Sequence, residues 1–189
     1  VACADYVLSI KGGNTVSNLS SSRALRDITQ KHGGTYQASA VGEVNVVQLM
    51  KDTNAIIGGE GNGGIIYPES HYGRDSLVGV ALFLSHLANG TMSCKELRES
   101  YPSYFMSKNK IQLTPQIDVD NILEVMANTY KSEDVSTIDG VKINFETEWV
   151  HLRKSNTEPI IRIYTESNSQ NNADDLADKI IAEITIIIA

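Results

Sequence analysis

The chain has 189 residues, 41% of them hydrophobic and 21% charged, enough apolar material for a packed core and far from the composition of a disordered tail. Sixteen Lys plus Arg against 23 Asp plus Glu give a net charge of −7, which argues against a nucleic-acid binder, since neutralising phosphates takes a surplus of cations. An anionic ligand stays open only where cations gather at one place. Two cysteines, Cys3 and Cys94, make no disulfide framework and lack metal-ligand spacing; they read as reduced thiols of a cytoplasmic protein.

In chain order, Val1 to Ile10 reads as a helix entered without a cap, and not as a signal peptide, because no basic segment precedes its apolar stretch. On this reading the chain is a piece of something longer. No apolar run reaches the roughly 18 residues of a membrane span. Thr15 to Leu19 reads as a strand. A helix capped by Ser22 follows to His32, with Leu25 and Ile28 on one face and Gly33-Gly34 as its stop. Thr35 to Ala40 is a second strand and Val41-Gly42-Glu43 a loop. Val44 to Lys51 is a short helix, and Ala55 to Gly58 a third strand. This alternation implies crossovers and a mixed or mostly parallel sheet. Asp75 to Asn89, capped by Asp75 and ended by Gly90, is apolar on nearly every side and is expected to be buried on most of them. Ser93 to Ser100 is a further short helix and Tyr101-Pro102-Ser103 a linker.

Beyond the linker the pattern is α+β. Tyr104 to Leu113 is strand-like, and Val119 to Tyr130 is a helix with Ile122, Val125 and Met126 inward. Asp139-Gly140 between Val135–Ile138 and Val141–Phe145 is a hairpin signal. Ile160 to Thr165 is a strand after Pro159, and Ala173 to Ala189 a closing helix. The expected domains are 1–102 and 103–189.

Two stretches carry chemistry. Residues 58 to 64, Gly58-Gly59-Glu60-Gly61-Asn62-Gly63-Gly64, hold five glycines in seven positions. The dinucleotide fingerprint fails, because Ile65-Ile66-Tyr67-Pro68 follows where a helix should open and the region near residue 84 is apolar. The phosphate-binding P-loop pattern fails as well, for want of a lysine. What remains is either a turn between two strands or a loop that presents Glu60 and Asn62 to vicinal hydroxyls. The second stretch is Arg153-Lys154-Ser155-Asn156-Thr157-Glu158-Pro159 with Arg162 beyond it. Arginine forks, hydroxyls and turn N–H groups at this spacing suit a phosphate; the same residues also suit a solvated polar hairpin loop.

Arg153-x-Ser155-Asn156-Thr157-Glu158-Pro159-x-x-Arg162 closely resembles the phosphate-binding loop of the α-D-phosphohexomutases, the family of phosphoglucomutases, phosphomannomutases and phosphoglucosamine mutases. The glycine stretch resembles the sugar-binding loop of that family's third domain. Ser20-Ser21-Ser22-Arg23 and Val41-Gly42-Glu43 resemble two further landmarks there. The resemblance covers essentially the whole chain and implies the C-terminal half of a mutase. That half is an α/β third domain (1–102, with 1–10 as the tail of the preceding segment) followed by a small α+β domain of TATA-box-binding-protein-like type (103–189). It further implies that the phosphoserine and an Asp-rich magnesium loop belong to N-terminal domains, so that no metal or other cofactor is expected in this half. Expected partners are a hexose phosphate or hexose bisphosphate and those N-terminal domains, with neither nucleic acid nor membrane. By the resemblance Arg153, Ser155, Asn156, Thr157 and Arg162 hold phosphate, Glu60 and Asn62 hold ring hydroxyls, and Gly42 and Glu43 line the sugar side. Two departures stand out. Gly64 occupies the place of a family histidine that assists proton transfer, with His71 the candidate substitute, and Ser20 stands where relatives often carry lysine. His32, His86 and His151 belong to no constellation and read as structural. The rival reading is a non-catalytic sugar-phosphate-binding or docking module.

Overall fold

The N-terminal apolar stretch forms helix α1 (Ala2–Lys11), closed at Gly12, with Val7 and Leu8 buried. A computed structural model of the chain describes residues 1–114, 117–155 and 157–188. It divides into two compact units, Val1–Ser103 and Tyr104–Ala189, and each carries its own sheet.

In the first unit β1 (Asn14–Asn18), β2 (Tyr36–Ser39) and β3 (Ala55–Gly59) are joined through α2 (Ala24–Lys31) and α3 (Glu43–Thr53). Both crossovers yield parallel pairs, β1 with β2 and β1 with β3. The chain then turns back twice through β4 (Ile65–Tyr67) and β5 (His71–Arg74), which pair antiparallel. The mixed sheet has the order β2-β1-β3-β4-β5. Val46 and Met50 of α3 bury against Val16 and Ile66 in one cluster. In another, Val7 and Leu8 of α1 and Ile28 of α2 close over Ile57. Strand β5 has no sequence signature, because His-Tyr-Gly-Arg lacks β-branched residues and exists as a strand only by pairing with β4.

Helix α4 (Ser76–Asn89) corrects one expectation. Its start is as read, with Asp75 Oδ1 accepting from the N–H groups of Leu77 and Val78. Its burial is not. Leu77, Val80 and Leu84 are 80%, 55% and 56% exposed, forming one apolar stripe, while Leu82, Phe83 and Leu87 pack inward. The near absence of polar residues concealed that the helix has an inner and an outer face. A second correction concerns His32 and His86, which do share a constellation. Asp5 on α1 meets His32 Nε2 at 2.7 Å and His86 Nε2 at 3.3 Å, and accepts from the Tyr101 hydroxyl at 2.9 Å. Burial alone would raise the Asp5 carboxyl, but the bonds from His32 and Tyr101 outweigh it and hold the group low. The cluster ties α1, the end of α2, α4 and the segment after α5 (Cys94–Glu99) together.

The second unit is an antiparallel sheet of order β6-β10-β9-β8-β7. Its strands are β6 (Phe105–Gln112), β7 (Asp134–Ser136), β8 (Val141–Asn144), β9 (Trp149–Lys154) and β10 (Ile160–Ser167), with α6 (Val119–Thr129) and α7 (Gln170–Ile188). Val150 and Leu152 of β9 and Ile161 and Ile163 of β10 alternate toward Ile122 and Met126 of α6 and Ile180 and Ile184 of α7. Trp149, His151 and Arg153 therefore face the other way. The Asp139-Gly140 signal marks a hairpin, but a wider one than read, since pairing stops at Ser136 with Lys142 and residues 137–140 form the turn. Among the described residues no helix is long and apolar enough to cross a membrane.

Candidate functional site

In the first unit the residues singled out come together around one arginine. Loop 60–64 joins β3 to β4 and is closed by Glu60 N–H to the Gly64 carbonyl (3.0 Å) and Gly63 N–H to the Glu60 carbonyl (3.0 Å). Asn62 Oδ1 accepts from Gly64 N–H at 3.1 Å, so its amide oxygen is folded back on the loop while the residue stays exposed. The Glu60 side chain is only 7% exposed. Its Oε1 accepts from Asn18 Nδ2 at 3.0 Å, and Asn18 Oδ1 in turn accepts from Ser20 N–H and the Ser21 hydroxyl. The turn after β1 and the glycine loop are thereby joined by one amide.

Gly42 has φ 121° and opens α3, placing Glu43 at the first helical position. Glu43 Oε1 accepts from Arg74 N–H at 2.9 Å and Oε2 from Arg74 Nε at 2.8 Å. Arg74 Nη1 lies 3.4 Å from Glu60 Oε2. These bonds, backbone N–H first and guanidinium second, hold the Glu43 carboxyl below the usual carboxylate range. The structure thus unites Gly42, Glu43, Glu60 and the Asn62 loop. It joins to them Ser21 of the Ser20–Arg23 landmark and adds Arg74 and Asn18, which sequence reasoning did not select, because only the β3-β4-β5 turn-backs bring Arg74 near a carboxylate 31 positions away.

His71 stands on β5 with its side chain half exposed, Nε2 at 3.1 Å from Asp75 Oδ2. Asp75 is kept low by Val78 N–H and then by His71. At Gly64 a Cβ would stand 2.5 Å from Arg74 Cδ and 3.0 Å from Cγ, so the room for a side chain there is taken by the arginine stem.

In the second unit Arg153 is on strand β9, not in the loop as read, and it pairs in register with Arg162 of β10. Opposed residues of an antiparallel pair point to the same face, which sets two guanidiniums side by side. Each has its own acid: Arg153 Nη1 lies 3.3 Å from Asp139 Oδ2, and Arg162 Nη2 is 3.0 Å from Glu158 Oε2. Lys110 of β6 is the register partner of Arg162 on its other side, so three cations share one row across the sheet. Ser155 is buried, and its Oγ accepts from Thr157 N–H (3.4 Å) and Glu158 N–H (3.3 Å). Thr157 Oγ1 is 3.5 Å from Ser155 Oγ. Asn156 lies outside the described residues. Lys154 is exposed.

The Asp139 turn reaches Arg153 because Gly140 has no Cβ. At φ 74° a Cβ there would stand 2.1 Å from the Leu152 carbonyl oxygen. The Asp139 carbonyl accepts from His151 Nε2 at 2.7 Å. Burial pushes the His151 imidazole down to about 4, so it is neutral at pH 7 and structural.

Among the described residues no group of three or more His, Cys, Asp or Glu side chains is gathered for a metal. Glu43 and Glu60 already share a guanidinium, which takes the place a cation would need. A magnesium ion does not fit these residues, and no step is assigned to it in this chain.

A family model described as phosphoglucomutase/phosphomannomutase, alpha/beta/alpha domain III, matches residues 1–104, and that of the C-terminal domain of the same proteins matches residues 109–183. The chain belongs to the phosphoglucomutase/phosphomannomutase family. A phosphoglucosamine/phosphogalactosamine mutase of Sulfurisphaera tokodaii is 37% identical over 167 residues, covering 87% of this chain and 37% of the relative. A phosphoglucomutase/phosphomannomutase of Thermococcus kodakarensis is 34% identical over 173 residues, covering 90% and 38%. The chain therefore spans about two fifths of the length of these curated relatives. The crystal structure of a family protein from Burkholderia thailandensis superposes with a TM-score of 0.77 at 23% identity, covering 96% of this chain and 40% of the other. An N-acetylphosphoglucosamine mutase of Aspergillus fumigatus, solved with GlcNAc-6P and magnesium, superposes at 0.67 and 13% identity, covering 97% and 45%. These two likenesses establish the shared fold.

Proposed function

We propose that this chain is the substrate-holding part of a phosphosugar mutase that interconverts hexose 1-phosphates and 6-phosphates of the glucose, mannose or glucosamine type. In this reading a phosphoserine elsewhere in the protein gives its phosphoryl group to a free hydroxyl of the sugar phosphate. The resulting bisphosphate turns over, and its other phosphoryl group returns to the serine. Magnesium, held by residues outside this chain, would supply charge stabilisation at the transferring group. The chain's own residues bind what does not react: Arg153, Arg162, Ser155, Asn156 and Thr157 the distal phosphate, Glu60 and Asn62 the ring hydroxyls, with Gly42 and Glu43 at the sugar side. Binding energy from a non-reacting phosphate can be realised at the reacting end, which is why a mutase invests in such a grip. His71 is the acid/base candidate of this reading, with its Nε2 paired to Asp75 Oδ2.

The observation that carries this reading is the in-register pair Arg153 and Arg162 on β9 and β10, with the Ser155 hydroxyl two residues beyond Arg153 accepting from the N–H groups of Thr157 and Glu158. Each guanidinium already has one carboxylate beside it, Asp139 or Glu158, and a phosphate dianion is a counter-charge that both forks can share. A charge-assisted contact is worth about 1.5–3 kcal/mol, so Arg153→Ala in the full-length protein is expected to lower kcat/KM for glucose 1-phosphate and for glucosamine 1-phosphate by roughly 10- to 150-fold. Unchanged kcat/KM for both sugars would refute the assignment.

A further inference from the structure

Arg74 closes β5, and the reading above gives it no part. It nonetheless contacts both carboxylates of the sugar loop. Its backbone N–H and Nε occupy the two oxygens of Glu43, and its Nη1 reaches Glu60 Oε2. Its stem runs over Gly64, whose lack of a Cβ lets it pass.

We propose that Arg74 is the positioning residue of the sugar site, holding Glu43 and Glu60 side by side as ionised acceptors for the hydroxyls of a hexose phosphate. This rests on the reading of Glu43 and Glu60 as sugar-binding. Glu60 is nearly buried, so its charge needs a partner, and Asn18 offers a neutral amide only. Two carboxylates drawn to one point repel unless a cation stands between them. A planar guanidinium can serve both while keeping further N–H donors for a ligand, whereas an ammonium is a point charge that cannot span them. The glycine at position 64 belongs to the same device, since any side chain there would displace the arginine stem.

The test uses the full-length protein with Arg74→Met, Arg74→Lys and Glu60→Gln. Affinity for glucose 6-phosphate and for inorganic phosphate is measured by calorimetry, and the Glu43 and Glu60 carboxyl carbons are titrated by NMR. Arg74→Met is expected to weaken glucose 6-phosphate about tenfold and leave inorganic phosphate within twofold. The Glu43 carboxyl should then titrate at higher pH, a change that general loosening of the fold would not confine to this group. Arg74→Lys should recover only part of the loss; if Arg74→Met does not fold, full wild-type affinity in Arg74→Lys overturns the proposal. If Glu60→Gln weakens glucose 6-phosphate while Arg74→Met does not, Arg74 has no positioning role and the sugar-loop reading stands. If Glu60→Gln leaves glucose 6-phosphate binding intact, the sugar-loop reading fails, and this proposal with it.

Discussion

The two candidate loops keep charged side chains in order by opposite means. In the first unit the acids are the proposed ligand-binding groups, and they come from two separate places, the start of α3 and the turn after β3, with Arg74 of β5 as the shared cation. In the second unit the bases are the proposed binding groups. They stand on two adjacent strands, each with its own acid, Asp139 or Glu158. A web with one hub is ordered before the ligand arrives, but it fails as a whole when the hub is lost. A row of separately paired arginines tolerates single losses, and each pair must be given up or shared when an anion binds.

The largest expected effect sharpens this contrast. Gly140→Ala meets the Leu152 carbonyl at a positive φ, so it should destabilise the second unit by about 2–4 kcal/mol in chemical denaturation. It should also draw Asp139 away from Arg153. A cost below about 0.5 kcal/mol would show the turn free to move and the pairing incidental.

The pH dependence should differ between the units. His151 is depressed to about 4 in the folded state from 6.5 in the free side chain. Above pH 6.5 both folded and unfolded states are neutral there and its contribution is complete. Between pH 6.5 and 4 the unfolded state binds a proton that the folded state refuses. Stability of the second unit should therefore fall by up to about 1.4 kcal/mol per pH unit through that window, and His151→Gln should flatten the profile. In the first unit Asp5 is held low by hydrogen bonds, so its contribution persists until the pH falls below the ordinary aspartate range. Denaturation curves taken from pH 7 to 4 with and without His151→Gln decide the point; an unchanged slope would mean the ring takes up its proton while folded.

Smaller effects probe the separate pairing. Asp139→Asn removes the acid facing Arg153 but keeps the carbonyl that holds His151. Phosphate affinity should rise about two- to threefold, the scale of a half-exposed ion pair. Weaker binding would mean that Asp139 aims the arginine and does not compete for it. Lys154→Ala, at an exposed position, should alter phosphate affinity by less than twofold in the same titration.

The same contrast explains what the sequence made legible. The phosphate loop lies within ten consecutive residues, so its pattern is readable without a fold, although the sequence pattern puts Arg153 in the loop and does not mark the strand Trp149–Lys154 that carries it. There Trp149, His151 and Arg153 alternate with Val150 and Leu152, a period that the charged residues obscure. The sugar cluster was legible in its glycines, Glu60 and Asn62, and by resemblance in Gly42 and Glu43. Arg74 and Asn18 enter through tertiary pairing, one from a strand with no β signature and the other at a strand end, where its amide bridges two turns. Most helices were readable from period and caps. The outward stripe of α4 was not, because burial depends on what a helix meets and not on its composition alone.

The division of labour between the loops can be tested by one two-ligand titration of the full-length protein. Glucose 6-phosphate and inorganic phosphate are each titrated calorimetrically into wild type, Arg153→Ala and Glu60→Gln. Arg153→Ala is expected to weaken both ligands by a similar factor, because phosphate is common to them. Glu60→Gln is expected to weaken glucose 6-phosphate about three- to tenfold and to leave inorganic phosphate unchanged. Equal losses for both ligands in Glu60→Gln, or no loss for either in Arg153→Ala, would contradict the assignment of sugar to the first unit and phosphate to the second.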